Sequence, residues 1–415
     1  MNTSRLLFAL AVLFASSVAP VQPLRAADPA KQPLEVTLVA TIQYSTHDFY
    51  THTPDHAGPD FQGITRIFPG QSVELVVLAK NYAVNAAGRA ALLYDLDITY
   101  PGGRTQQAGK DLKLSVGPAP DASLLAYASQ TATYSTDPGD PLGNYAFTVT
   151  VHDRAAGKTV LRKTVTVQVV PYVEPSLPPV FNPGNWMTSY YLDPSPALAL
   201  PALFRIATLL PKNNTDAWPP VLGFYEEVLK ANPWLAPVFL ERLKNANETD
   251  RTLLLFILGY AWRHDPTFAD LSKGPWPDVD TGELNDPMQI DLLWGRFFAT
   301  GAFAPLDRIT SALHMHRYLG ALDKLKATTP TATAPTPEVM KELVLKSAQW
   351  SLGRNARAHP LVRRYCEWIL AQKNPDLTFN DLLAAIFPEP AAAPASTAPA
   401  PSEKPLVTFP RPTSP

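Results

Sequence analysis

The hydrophobic period of this chain changes once, and the change coincides with a proline-rich stretch. Up to about residue 170, apolar residues alternate with polar ones; beyond about residue 186 they recur every three or four positions. A period of two places every second side chain on one face of a strand, whereas a period near 3.6 builds an apolar stripe along a helix. One segment cannot satisfy both, so the sequence predicts a β domain followed by a helical one. Between them, residues 171–185 (PYVEPSLPPVFNPGN) read as an extended, semi-rigid connector.

In the β part, predicted over 33–170, Val36, Leu38, Ala40 and Ile42 alternate with more polar neighbours, as do Val73, Leu75, Val77 and Ala79. Leu92, Tyr94, Leu96 and Ile98 alternate with Asp95, Asp97 and Thr99, which gives one buried and one wet face. Pro101-Gly102-Gly103 then ends that strand in a turn. The closing hairpin runs through Tyr145, Phe147, Val149 and Val151, turns between Asp153 and Lys158, and returns through Val165, Val167 and Val169. About seven such strands without a helical period between them predict an antiparallel β-sandwich. The stretch from Gly143-Asn144-Tyr145 to Val169 resembles the final hairpin of bacterial immunoglobulin-like domains. That resemblance implies a fold, with adhesion or spacing rather than chemistry as its use.

The helical part is predicted over 186–388, an all-α solenoid or irregular bundle. Helices are expected at 220–231, 234–244, 251–263, 287–300, 305–326, 337–358, 361–372 and 379–386, with Thr249 or Asp250 capping the third. A Thr/Pro/Ala insert occupies 327–337. Gly259, Gly295 and Gly353 each fall late in a helix after a bulky apolar run, a spacing that lets helices approach closely. Gly259 and Gly295 are 36 residues apart, near the tetratricopeptide period of about 34. This part therefore resembles a degenerate array of tetratricopeptide or HEAT-like helical hairpins, which implies a concave surface for a protein or peptide.

The two ends belong to neither domain. Arg5, the apolar run Leu6–Ala15 and Ala26-Ala27 have the order of a secretory signal peptide, predicted over 1–27. Ten apolar residues are too few to span a bilayer, which needs about 20, so no transmembrane anchor is expected after cleavage and the protein is expected to be secreted or periplasmic. Residues 389–415, rich in Pro and Ala, cannot bury a core and read as a disordered tail. The single cysteine, Cys366, excludes an internal disulfide and lies at helical spacing with Val362 and Ile369, as a core thiol would. The 35 Lys and Arg are spread among 37 Asp and Glu without a basic run, so nucleic acid is not an expected partner.

Two groups of residues have metal-ligand chemistry. His47, His52 and His56 are interleaved with Asp48, Asp55 and Asp60, but Pro54 and Gly58 make the stretch a polar loop that fixes no geometry. Asp278, Asp280, Glu283 and Asp286 crowd a connector; Gly282 comes one place early for an EF-hand, and position twelve holds Gln289. Its alternative reading is an acidic turn that caps the next helix. His314 and His316, two apart on a predicted helix, are expected to face different ways. The aromatic groups Trp186/Tyr190/Tyr191 and Trp294/Phe297/Phe298 fit a core better than a sugar groove. GxSxG, GxGxxG, P-loop, HExxH and CxxC motifs are absent from the sequence, and no cofactor is implied.

The sequence reading is thus an exported, non-enzymatic interaction or scaffold protein of the cell envelope or exterior, binding a protein or peptide through its helical domain. The alternative is a carbohydrate-active hydrolase or lyase with an accessory sandwich. Its candidate carboxylates are Asp278, Asp280 and Glu283, near Trp276 and Trp294.

Overall fold

A computed structural model describes residues 33–54, 60–118, 125–128, 130–157, 159–210, 217–268, 276–328 and 335–387. The expected signal peptide, the tail, His56 and most of the 327–337 insert lie outside the described residues.

The N-terminal part is a β region with largely antiparallel sheets. Its strands are β1 (Glu35–Thr41), β2 (Arg66–Ile67), β3 (Ser72–Lys80), β4 (Arg89–Thr99), β5 (Thr105–Pro118), β6 (Ala126–Tyr127), β7 (Ala132–Ser135), β8 (Gly143–Asp153) and β9 (Thr159–Val169). One sheet has the order β1-β3-β6 with β7 also paired to β3, and the other runs β2-β9-β8-β4-β5. The short strand β2 pairs with β9 in parallel, Arg66 opposite Gln168. The alternation in sequence becomes alternation in burial: on β4, Ala90, Leu92, Tyr94, Leu96 and Ile98 are buried, and on β8, Tyr145, Phe147, Val149 and Val151 are. The predicted turn after β4 holds Gly102 and Gly103 at φ of 90° and 88°, a left-handed backbone that favours glycine.

The C-terminal part is helical: α2 (Pro183–Ser189), α3 (Ala199–Leu209), α4 (Pro219–Ala231), α5 (Leu235–Lys244), α6 (Glu248–Ala261), α7 (Pro287–Thr300), α8 (Phe303–Ser311), α9 (Ala321–Thr328), α10 (Pro337–Ala358), α11 (Pro360–Ala371) and α12 (Leu377–Ala384). The predicted helix over 305–326 is broken. After α8 the chain tightens into a 3-10 helix over Ala312–Tyr318, and Gly320, at φ 84°, turns it before α9. The cap of α6 is Asn247, whose side chain accepts from the Asp250 backbone N–H, rather than Thr249 or Asp250. Trp294, Phe297, Phe298, Tyr190 and Tyr191 are all core residues. None of the helices among the described residues is long and apolar enough to cross a membrane.

Internal packing divides the chain into two compact units, and the division does not follow the proline connector. Among the described residues, one unit comprises the chain up to Leu38, Val76–Thr131 and Ala146–Val165; the other comprises Val39–Leu75, Ala132–Tyr145 and the chain from Thr166 onward. Within the second unit, the stretch predicted as a polar loop of the β domain forms a helix, α1 (Thr46–Thr51). Phe49 on this helix is fully buried in the core of the helical part. Around it, Gln43 donates to the Leu192 carbonyl at 2.9 Å, the Asn232 side chain donates to the Tyr44 hydroxyl at 2.6 Å, and the Phe303 backbone N–H donates to Asp48 at 3.1 Å. Strand periodicity carries no information about such long-range partners, which is why sequence patterning places this stretch with its neighbours in the chain.

Candidate functional site

The most constrained place in the helical unit is the crossing of α4 and α7. A Cβ on Gly295 would stand 2.0 Å from the Pro220 carbonyl oxygen, and one on Gly223 would stand 2.1 Å from that of Leu292. The two helices therefore touch backbone to backbone, and only glycine fits at either position. Arg296, the residue after Gly295, is carried by this contact into reach of Glu226 on α4. Its Nε and Nη2 donate to the two Glu226 oxygens at 2.9 Å each, a bidentate pairing that fits the planar guanidinium. Arg263, just beyond α6, reaches the same carboxylate at 2.9 Å. Arg296 Nη1 and Nη2 also donate to Asp280. Burial alone would depress the Arg296 pKa, but its hydrogen bonds to Asp280 and the Glu226 charge outweigh that and raise it. Two arginines and two carboxylates thus neutralise one another.

The loop that delivers Asp280 is fixed by α7. Asp286 caps the helix and Gln289 completes a capping box. The Gln289 side chain also donates to the Asp278 carbonyl at 2.6 Å. This loop, α4, α7 and α8 enclose a cavity of about 470 Å³, whose charged lining residues are Glu227, Lys230, Asp280, Arg296, Asp307 and Arg308. Its volume lies within the ordinary range for small-ligand sites, roughly 300–1,000 Å³. Among the described residues no aromatic side chain lines it. Glu227 differs from Glu226 beside it. Its Oε1 is 3.8 Å from Lys230 Nζ and 3.9 Å from Arg296 Nε, too far for hydrogen bonds. Burial pushes its carboxyl above the ordinary range.

The candidate carboxylates read from the sequence go three separate ways. Asp278 caps its own turn, accepting from the Asp280 backbone N–H at 2.8 Å and from the Thr281 hydroxyl, and these bonds, Thr281 first, bring its carboxyl down to about 2. Glu283 pairs with Lys341 at 2.9 Å, which lowers its pKa. Asp280 alone lines the cavity. Of the histidines, His47 is exposed on the Thr46–Thr51 helix. His52 stacks on Phe303 at 4.1 Å, meets Trp368 edge-on at 4.9 Å and lies 3.5 Å from Asp48. His314 and His316 do converge, contrary to the helical expectation. On the 3-10 turn, His314 Nδ1 and His316 Nε2 each lie 3.0 Å from the same Asp376 oxygen. Among the described residues no group of three or more His, Cys, Asp or Glu is disposed to hold a metal ion.

Sequence reasoning missed Glu226, Glu227, Arg263, Arg296 and Arg308. A signal for two of them was present. Arg296 interrupts the apolar run LLWGRFFA, and Glu226 sits between Tyr225 and Val228 in FYEEVL. A charge inside an apolar helix has to find a buried partner.

No protein-family model matches the sequence, and no curated protein is significantly similar to it. Among solved structures, the chain has a likeness to the CARDB domain of a Pyrococcus furiosus protein, solved in complex with di-metal ions. That match has 16% identity and a TM-score of 0.18, over 33% of this chain and 94% of that one. A likeness to an ASH/PapD-like domain of human CEP192 has 12% identity and a TM-score of 0.18, over 38% of this chain and 98% of that one.

Proposed function

We propose that the chain is an exported, non-enzymatic interaction protein of the cell envelope or exterior. In this reading an immunoglobulin-like sandwich serves as spacer, and the helical unit, a degenerate hairpin array, receives a protein or peptide partner at the cavity between α4, α7 and α8. The observation that carries the reading is the lining of that cavity. Among the described residues it presents three cationic and three anionic side chains on walls that include Leu293, Val279 and Pro305, with no aromatic platform. Mixed charge on fixed walls suits recognition of a polar protein surface. A glycoside-cleaving site would instead pair two carboxylates across a sugar, usually with aromatic walls, and of the carboxylates named for that role only Asp280 is at the cavity.

A photo-crosslinking residue at Ala304, exposed at the cavity, tests this in cells that make the protein. A discrete adduct with a second protein is expected from position 304 and not from the exposed Gln106 on β5. No adduct at 304, or the same adducts at both positions, would contradict the proposal.

A further inference from the structure

We propose that the cavity between α4, α7 and α8 binds a zwitterionic group, an ammonium and a carboxylate held by one ligand, with Glu227 receiving the ammonium and Arg308 the carboxylate. This rests on the reading of the cavity as the partner's contact site and names the chemistry it recognises.

The inference comes from matching each charge at the cavity with its partner. Arg296, Arg263, Glu226 and Asp280 use one another fully. Glu227 and Arg308 do not. Glu227 has cations only at 3.8 and 3.9 Å, although its side chain is 18% exposed. Arg308 makes one long bond, from Nε to the Val279 carbonyl at 3.4 Å, and its Nη2 is buried without an acceptor. Both residues line the same cavity, yet no ion pair joins them. A buried donor without an acceptor is costly to leave unmade, and a half-buried carboxylate whose nearest cations stand at 3.8 and 3.9 Å gains from a closer donor. A simple cation would satisfy Glu227 and meet Arg308 and Lys230 with like charge. A simple anion would satisfy Arg308 and meet Glu227 and Asp307. A ligand with both charges satisfies both walls, and Leu293 and Val279 leave an apolar strip for the carbons between them. Burial raises the Glu227 carboxyl even though Lys230 and Arg296 act to lower it.

Such a group has two sources: neighbouring Lys and Glu side chains on a peptide, or a free α-amino acid. Saturation-transfer NMR on the full chain distinguishes them, with N-acetyl-Lys-Glu-amide and free L-leucine as the two zwitterionic probes. N-acetyl-Lys-Ala-amide and N-acetyl-Ala-Glu-amide are the singly charged controls. At least one zwitterion is expected to bind ten times or more tightly than either control. Glu227→Gln and Arg308→Gln are each expected to remove that advantage while circular dichroism stays unchanged. Equal binding of all four probes, binding of none at millimolar concentration, or preference untouched by both substitutions would overturn the proposal. Should either variant fail to fold, the comparison of probes on the unmodified chain decides alone. An adduct at position 304 without zwitterion preference would sink this inference and leave the proposed function standing. Zwitterion binding without a protein adduct would do the reverse.

Discussion

Gly295→Ala is the sharpest single perturbation of the helical unit. The added Cβ would stand 2.0 Å from the Pro220 carbonyl oxygen, 2.8 Å from its carbon and 2.7 Å from the Phe224 nitrogen. An ordinary carbon–oxygen contact needs about 3.3 Å, so α4 and α7 have to separate by more than an ångström. The obstacle is backbone, which cannot rotate away. Overpacking of this kind costs roughly 1–3 kcal/mol, and more where nothing yields. Replacing a helical glycine by alanine returns about 1 kcal/mol of helix propensity. Because the obstacle is backbone, the cost falls at the upper end of that range, about 3 kcal/mol, so the net expectation is destabilisation of about 2 kcal/mol, with Arg296 pulled out of register with Glu226. At about 2–4 °C per kcal/mol for a unit of this size, the melting temperature should fall by roughly 4 °C or more. Gly353→Ala on α10 is the control. Its added Cβ meets only Ile386, at 3.9 Å, so the propensity gain stands unopposed, and stability should rise by about 0.5–1 kcal/mol. Calorimetry on the two variants reads both signs. If Gly295→Ala is neutral or stabilising, the backbone contact between α4 and α7 does not exist as described.

Glu226→Ala leaves Arg263 and Arg296 buried with only Asp280, and Glu227 3.9 Å from Arg296, as nearby carboxylates, and should cost about 3–5 kcal/mol in urea unfolding; a loss below about 1 kcal/mol would mean the network is wet. Asp376 has its pKa held low by His314 first and then His316. A depressed carboxylate stabilises the fold above its unfolded pKa of about 3.9 and loses that contribution as pH falls through the folded value. Asp376→Asn should therefore lower the urea midpoint at pH 7, with the gap to the natural protein narrowing below about pH 3.9; a gap independent of pH would contradict the pairing. Burial pushes the Cys366 thiol up to about 12, so iodoacetamide at pH 8 should label it only in denaturant, and rapid native labelling would place it at the surface.

The parts of this fold that were legible in the sequence are those written in local signals. The last hairpin shows in its alternation, and α7 shows in its capping residues, Asp286 before it and Gly301 at φ 66° after it. The predicted helix over 305–326 failed because its apolar spacing continues across Leu319-Gly320, where the backbone turns. The histidine stretch was misplaced because its partners, Phe303 and Trp368, lie more than 250 residues away in sequence. Separation along the chain also hid the site. Glu226 and Arg296 lie 70 residues apart, and each looks like an isolated charge until the two glycines bring α4 and α7 together. Asp278, Asp280 and Glu283 drew notice because they are close in sequence, but neighbours in a turn point to different partners.

The claim that the partner is received at the charged cavity is tested most directly by hydrogen exchange on the chain, alone and with the protein captured at position 304. The account predicts slowed exchange over residues 223–230 and 302–311, with little change over 145–169. Protection confined to the β strands, with 223–230 and 302–311 unchanged, would contradict it.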